Sequence, residues 1–246
     1  MTRTFFVAGT DTEVGKTFVT GALLHNAARR GLSTGAVKPV ASGCVPSREG
    51  LRNADAELLQ AAMTLELPYQ QVNPVALEPA IAPHIAAREA GITLGVTPMA
   101  GACQEVMNTG ADLVLIEGAG GWRTPLGAGA FLSDLPRELD IPVILVIGMQ
   151  LGCISHARLT AEAIHCDSLR LAGWVANFAR PGMARPDENL ETLKGLLAAP
   201  YLGTLPYDET GDYRANAACL DLAPLLGSEP EAPGATSVAR QPPPCG

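Results

Sequence analysis

Gly9-Thr10-Asp11-Thr12-Glu13-Val14-Gly15-Lys16-Thr17 is the stretch of sequence that decides the fold of this chain. A short apolar run at residues 4–8 precedes it, and an alanine- and leucine-rich stretch with helical patterning follows it. A strand, a glycine turn, Gly-Lys-Thr and a helix form a phosphate-binding loop, in which backbone N–H groups and the helix N-terminus bind phosphates. The lysine reaches the β and γ oxygens and the threonine hydroxyl binds Mg²⁺. The stretch therefore predicts a nucleotide site.

The spacing of this loop differs from the common pattern. Counting back from Gly15, the common pattern places its first glycine at position 10, where Thr10 stands, and the glycine is instead Gly9. The loop is therefore one residue longer than usual. The length of this loop helps to distinguish between classes of ATP-binding protein that share the fold.

Composition limits the classes of protein to consider. With 246 residues, 47% of them hydrophobic and 17% charged, the chain can bury the core of a single domain. The net charge of −8 predicts no nucleic-acid or anionic-membrane partner. The longest later apolar run, residues 141–149, is too short to span a bilayer. The six cysteines have no Cys-x-x-Cys pairing, which predicts reduced thiols in a cytoplasmic protein without a disulfide framework or zinc site.

Apolar runs typical of strands alternate with helical patterns along residues 1–227. The runs are continuous, as in parallel strands that are covered on both faces, so we predict a single α/β domain with a doubly wound, mostly parallel sheet of the P-loop NTPase type. Residues 228–246 are rich in Pro, Gly, Ala and Ser and are predicted to form a disordered tail. The predicted strands are residues 4–8, 33–37, 112–117, 142–147, 171–176 and 201–205, and the main predicted helices are residues 16–30, 54–64, 83–90, 98–109, 155–166 and 187–198.

Three charged residues are candidates for the chemistry at the carboxyl edge of this sheet. Glu117 ends a buried strand, so it is predicted to bind Mg²⁺, with pairing to an Arg or Lys of the fold as the alternative. Lys38 ends the second strand and is either a cation for phosphate charge or a solvated strand-end lysine. Asp55 lies in the first turn of a helix capped by Asn53, where a metal role and a simple helix-dipole preference both remain open.

A set of motifs in fixed order resembles the dethiobiotin synthetase family. The resemblance covers about residues 1–227 and includes the lengthened loop. The motifs are GTDTEVGKT at 9–17, VKPVASG at 37–43, LRNADA at 51–56, VNP at 72–74, PHIAA at 83–87, EGAGGW with TPL at 117–126, PVILVIG with LGCISHA at 142–157, and LAGWVAN at 171–177.

The resemblance implies ATP-dependent carboxylation and ring closure of 7,8-diaminononanoate with CO₂ or bicarbonate, through a carbamate and a carbamic–phosphoric anhydride. It also implies a homodimer, with the substrate carboxylate at residues 151–155 of the partner's helix. The catalytic residues implied are Thr12, Lys16 and Lys38. The implied Mg²⁺ ligands are Thr17, Asp55 and Glu117, and the implied diamine-binding residues are Ser42, Gly152, Cys153 and Ser155. Further ATP-binding residues implied by the resemblance are Glu13, Val14, Gly15, Phe18, Gly118, Ala119, Gly120, Asn177, Pro206, Tyr207 and Asp208.

Three positions depart from the family pattern. Ser155 stands where members carry Asn, Phe178 where an acidic residue is common, and Ala82 where Ser is frequent. None of the three is an expected phosphate or metal ligand, so the departures bear on substrate affinity.

Two other functions fit the same fold. An amidoligase of the cobyrinate type would carry an additional glutaminase domain with a catalytic cysteine, for which this chain has no room. A switch ATPase of the partitioning type normally has the ordinary loop length and a lysine after the first glycine, where this chain has Thr10. ATP turnover that requires the diamine and CO₂ separates the ligase from the switch.

Overall fold

The computed structural model describes residues 2–227, so the predicted tail at residues 228–246 lies outside the described residues. The described strands are β1 (Arg3–Gly9), β2 (Thr34–Val37), β3 (Val40–Ala41), β4 (Val45–Ser47), β5 (Gly50–Arg52), β6 (Val75–Ala76), β7 (Leu113–Gly121), β8 (Pro125–Gly127), β9 (Ala130–Phe131), β10 (Val143–Gly148), β11 (Leu171–Asn177) and β12 (Tyr201–Leu205). The helices are α1 (Lys16–Arg29), α2 (Ala54–Ala62), α3 (Tyr69–Val72), α4 (Pro83–Glu89), α5 (Val96–Met107), α6 (Asp134–Glu138), α7 (Cys153–Cys166), α8 (Pro186–Leu196) and α9 (Ala223–Leu226), with a 3₁₀ turn at Ala217–Cys219.

Six strands form one central sheet in the order β12-β11-β10-β1-β7-β2. Every neighbouring pair in it is parallel. The chain order reverses on either side of β1, which makes this strand the switch point of a doubly wound sheet. Loops that follow β1, β7 and β10 therefore open into one crevice at the carboxyl edge.

Side chains of β1 show that both faces of the sheet are covered. Phe5 and Val7 pack into one apolar cluster, together with residues of α1 and α2. Phe6 and Ala8 pack into the other cluster, together with residues of α5 and α7. This alternation follows from the period of two along a strand. It explains why the sheet strands are apolar on both faces.

The predicted fold class and all six predicted sheet strands are confirmed. The main difference is β7, which continues past Glu117 because its glycine tail stays paired as far as Gly9 opposite Gly121. Three small ladders, β3–β6, β4–β5 and β8–β9, were not predicted. Their strands have two or three residues each, which is too short for a hydrophobic period to register.

Asn53 caps α2 as predicted, because its Oδ1 accepts hydrogen bonds from the backbone N–H groups of Asp55 and Ala56.

Within residues 2–227, no helix is both long and apolar enough to cross a membrane. Cys44, Cys103, Cys153 and Cys219 are free thiols. Cys166 is disulfide-bonded, so the prediction of reduced thiols is wrong at that residue.

Candidate active site

The phosphate-binding loop joins β1 to α1 in a conformation that needs its glycines. Gly15, the residue before α1, has φ 83°, in the left-handed region that glycine favours. A Cβ on Gly9 would lie 2.8 Å from Val14 Cγ2 and 2.9 Å from the Asp11 carbonyl oxygen. The loop closes so tightly that no side chain fits at its first residue.

Lys16 lies inside this loop. Its Nζ donates a hydrogen bond to the Asp11 carbonyl oxygen at 3.0 Å, and the residue is only 7% exposed. Burial lowers the pKa of Lys16 to about 8, since a low-dielectric site disfavours the charged form. A bound phosphate would restore that charge.

Asn177 fastens the loop to the end of β11. Its Nδ2 donates to the Val14 carbonyl oxygen at 2.8 Å, and a Cβ on Gly15 would lie 2.1 Å from that nitrogen. Asn177 pairs with Leu205 across the sheet, so the segment that begins at Pro206 follows directly beside it. The structure thus places Asn177 beside the segment of Pro206, Tyr207 and Asp208, all of which were expected to bind ATP.

A cluster of charges, in which Lys38 and Glu117 are buried, lies next to the loop. Lys38 Nζ is 2.6 Å from Glu117 Oε1 and 2.6 Å from Asp55 Oδ2. The Thr17 hydroxyl donates to the same Glu117 oxygen at 2.7 Å. Glu117 is fully buried and its Oε2 has no hydrogen-bond partner among the described residues. Thr17, Lys38, Asp55 and Glu117 therefore form one site, which we call the lysine–carboxylate cluster.

The pKa shifts in this cluster follow from its contacts. Burial alone would lower the pKa of Lys38, but the Glu117 and Asp55 carboxylates outweigh it and raise that pKa above its usual value. Burial would raise the pKa of Asp55, and the Lys38 ammonium instead holds it below its usual value. Lys38 is therefore an ammonium that pairs with the Asp55 carboxylate at neutral pH.

These contacts bear on the alternative roles that the sequence left open for Glu117, Lys38 and Asp55. Glu117 does pair with a lysine of the fold, and that lysine is Lys38 itself. The reading of Lys38 as a solvated lysine is wrong, because the residue is 5% exposed. Asp55 has a specific partner beyond the helix dipole.

The glycine-rich end of β7 runs beside the phosphate loop. A Cβ on Gly118 would lie 2.8 Å from Phe6 Cζ. Gly120 has φ 63°, and a Cβ there would lie 2.6 Å from Thr124 Oγ1. Neither Gly118 nor Gly120 could carry a side chain unless these neighbours moved.

The expected diamine-binding residues lie in two places. Ser42 follows β3, where its carbonyl oxygen accepts a hydrogen bond from Asn53 Nδ2 at 3.3 Å, close to Asp55. Gly152, Cys153 and Ser155 lie at the start of α7, where Gly152 has φ 97° and no side chain caps the helix. Ser155 is exposed and Cys153 is buried. The two groups lie on different loops of the same sheet edge.

A cavity of about 210 Å³ opens beside the loop, lined by Asp11–Val14, Gly148–Gln150, Ala179 and Arg180. An ion pair between Arg180 and Glu13 closes one side of this cavity. Both side chains are exposed, and Glu13 has φ 59°. Sequence reasoning did not find Arg180, because no pattern links it to a loop that lies 167 residues away.

The chain is similar to known proteins over most of its length. A protein-family model described as an AAA domain matches residues 3–212. A protein of Pseudomonas aeruginosa named ATP-dependent dethiobiotin synthetase BioD is 57% identical over 90% of this chain and 97% of its own length. A protein of Cellvibrio japonicus with the same name is 50% identical over 91% of this chain and 98% of its own length. The chain belongs to the dethiobiotin synthetase family.

Dethiobiotin synthetases are ATP-dependent ligases, so family membership confirms the predicted enzyme class. Two solved structures share the fold. The MinC–MinD cell division complex of Aquifex aeolicus has a TM-score of 0.53 at 15% identity and covers 87% of this chain and 86% of that chain. MinD with Mg-ADP from Pyrococcus horikoshii has a TM-score of 0.51 at 18% identity, with the same coverage. At these identities the likeness shows the fold alone.

Proposed function

We propose that this protein forms dethiobiotin from 7,8-diaminononanoate, CO₂ and ATP, with Mg²⁺ bound. The observation that carries the proposal is the lysine–carboxylate cluster beside the phosphate loop, with Lys38 Nζ 2.6 Å from both carboxylates. Relatives that carry the name dethiobiotin synthetase at 50–57% identity support the same substrates.

The first step we propose is carbamate formation. The 7-amino group attacks CO₂, a C–N bond forms, and a proton leaves the nitrogen. The carbamate is anionic, so a cation near it favours its formation. Lys38 is that cation, because the neighbouring carboxylates keep it protonated. Ser42 follows Lys38 by four residues, and we infer that it contacts the same substrate.

Phosphoryl transfer and ring closure follow. A carbamate oxygen attacks the γ-phosphorus of ATP and ADP leaves, which gives a carbamic–phosphoric anhydride. The 8-amino group then attacks the carbonyl carbon, phosphate leaves, and the cyclic urea is closed. The carbamate is already nucleophilic, so the protein contributes mainly position and charge, from Lys16, Lys38 and the backbone N–H groups around Thr12–Thr17.

The residues present fit a magnesium ion. Glu117 Oε2 is a buried carboxylate oxygen without a hydrogen-bond partner among the described residues. The Thr17 hydroxyl lies 2.7 Å from Glu117 Oε1. Oxygen ligands of this kind are what Mg²⁺ prefers. Thr17, Asp55 and Glu117 would hold the ion, and when bound there it would neutralise charge on the β and γ phosphates.

We further propose a cytoplasmic homodimer. No side chain caps the start of α7, and Leu151 beside it is 98% exposed. A helix N-terminus favours a carboxylate, so we infer that the partner's residues 152–155 hold the carboxylate of the diamine.

The test is an assay of dethiobiotin formation from the diamine, ATP, Mg²⁺ and ¹³C-bicarbonate, followed by mass spectrometry. We expect one labelled carbon in the product and one ADP per dethiobiotin. Omission of the diamine or of bicarbonate should stop ADP release. ADP release that continues without the diamine would favour a switch ATPase and contradict the proposal.

A further inference from the structure

A buried chain of hydrogen bonds runs underneath the lysine–carboxylate cluster. Its members are Asn53, Tyr69 and Asn73, with exposures of 8%, 5% and 3%. The Tyr69 hydroxyl accepts a hydrogen bond from the Asn53 backbone N–H at 2.7 Å and donates one to Asn73 Oδ1 at 3.2 Å. We call these three residues the Tyr69 relay.

One end of the Tyr69 relay holds the backbone of Lys38. Asn73 Nδ2 donates to the Lys38 carbonyl oxygen at 2.8 Å. The Lys38 N–H donates to the Val72 carbonyl oxygen at 2.7 Å. Both backbone groups of Lys38 are therefore bound by the segment that ends α3.

The other end holds the helix that carries Asp55. Asn53 Oδ1 accepts hydrogen bonds from the N–H groups of Asp55 at 3.1 Å and of Ala56 at 3.3 Å. Asn53 Nδ2 donates to the Ser42 carbonyl oxygen at 3.3 Å. The relay thus connects the backbone of three residues that the proposed reaction uses: Lys38, Ser42 and Asp55.

We propose that Tyr69 is a positioning residue, whose hydroxyl fixes the Lys38 backbone relative to the start of α2 and so places Lys38 and Asp55 for the reaction. The proposal rests on the proposed function for the roles of Lys38 and Asp55. The two anchored segments are separated by 17 residues in the chain and meet at the Lys38–Asp55 contact. A displacement of about 1 Å in such a contact can cost on the order of 100-fold in rate.

The chemistry of Tyr69 suits this role. Burial raises the pKa of its phenol, so the hydroxyl remains a donor throughout the neutral range. The Arg52 guanidinium lies 4.0 Å from the centre of the Tyr69 ring. A Tyr69→Phe variant keeps that ring contact and removes only the hydroxyl, which leaves the Asn53 N–H and Asn73 Oδ1 without their partner.

Steady-state kinetics of Tyr69→Phe is the first arm of the test. We expect kcat to fall at least about 10-fold while KM for ATP stays within about twofold, because the phosphate loop does not touch the relay. Tyr201→Phe is the matched control, since the Tyr201 hydroxyl bonds Thr204 on the edge strand β12. A kcat within threefold of wild type, or an equal loss in the control, would overturn the proposal.

A second variant covers the case in which Tyr69→Phe does not fold. Asn73→Ala removes the donor to the Lys38 carbonyl oxygen and is expected to lower kcat by a similar factor. The double variant should lose no more than the worse single variant, because both changes break one chain. Losses that multiply would mean that the two residues act separately, against the relay.

Amide hydrogen exchange, measured on the nucleotide-free protein, gives a readout that does not depend on catalysis. The Lys38 N–H has a partner that Tyr69→Phe leaves intact, so faster exchange there reports movement passed along the relay. We expect faster exchange in residues 36–42 and unchanged exchange in α1. If the wild-type protein forms no dethiobiotin, the proposed function fails. Unchanged exchange at residues 36–42 in Tyr69→Phe would by itself overturn the positioning role of Tyr69.

Discussion

At the scale of single residues, Lys38 is the side chain on which most of the site depends. It stands between two carboxylates, one of them fully buried, and a buried charge without a partner is costly. In the proposed reaction, the same ammonium that stabilises Glu117 in the free protein also faces the carbamate and the phosphoryl group. A structural role and a proposed catalytic role therefore meet in one contact.

Lys38→Met tests both roles. It keeps the apolar stem and removes the charge, so kcat is expected to fall on the order of 100-fold or more, as for other groups that face transition-state charge. The melting temperature should also fall, because Glu117 loses its cation. Lys194→Met is the control, since Lys194 pairs with Glu191 on the surface of α8. Turnover within about threefold of wild type would contradict the catalytic role of Lys38.

Lys16 leads to a pH prediction. Its pKa in the free protein is lowered to about 8, so above that pH the side chain is neutral before a nucleotide arrives. Phosphates favour the ammonium, and binding must then take up a proton. We expect the Kd for ATP, measured by fluorescence titration, to be flat from pH 7 to 7.5 and to rise above pH 8 by at most about tenfold per pH unit. Lys16→Met should abolish this rise, and a Kd that stays flat to pH 9.5 would contradict it.

Local sequence explains which site residues could be predicted. Glu117 and Lys38 each follow a short apolar run, and Asp55 lies just after the capping residue Asn53, so short patterns place all three at one edge. Tyr69 and Arg180 have no such pattern. Their partners are Asn53 and Glu13, which only the packed fold brings near them.

At the scale of elements, the strands of the central sheet were predictable because each is a continuous apolar run. Helix α2 was predictable from its cap, Asn53. The ladder β4–β5 was not, since its residues are largely exposed and its shape depends on the turn between Ser47 and Gly50. The 3₁₀ turn at Ala217–Cys219 was not predicted either, because one long-range contact with α1 stabilises it.

Asn26, a buried residue of α1, makes this contact with the 3₁₀ turn. Its Nδ2 donates to the carbonyl oxygens of Ala217 at 2.9 Å and Leu220 at 2.8 Å. Asn26→Ala leaves both acceptors without this donor, so we expect a loss of about 1–3 kcal/mol in the free energy of unfolding, measured by urea denaturation. Asn108→Ala, at an exposed position, should change it by less than about 0.5 kcal/mol. Equal losses in the two variants would show that Asn26 does not anchor this segment.

At the scale of the whole molecule, the strand order collects the chemistry in one place. Because the six strands are parallel and their order along the chain reverses on either side of β1, the loops after β1, β7, β10 and β11 lie at one edge of the sheet. The phosphate loop, the lysine–carboxylate cluster and the start of α7 are therefore parts of a single crevice edge. The start of α7 faces outward, with Leu151 98% exposed and Leu159 61% exposed.

The prediction about the dimer rests on Leu151 and Leu159. Large exposed apolar side chains on a helix whose N-terminus is proposed to bind substrate fit an interface between two copies of the chain. Light scattering of the wild type should give the mass of a dimer, and Leu159→Glu should give a monomer because it places a charge in that interface. If the partner's helix holds the diamine carboxylate, KM for the diamine should rise by about tenfold in the monomer, while the Kd for ATP is unchanged. Ile92→Glu is the control, because Ile92 is 43% exposed and follows α4. A wild-type monomer with full activity, or a Leu159→Glu monomer that keeps the wild-type KM, would mean that each chain binds the whole substrate by itself.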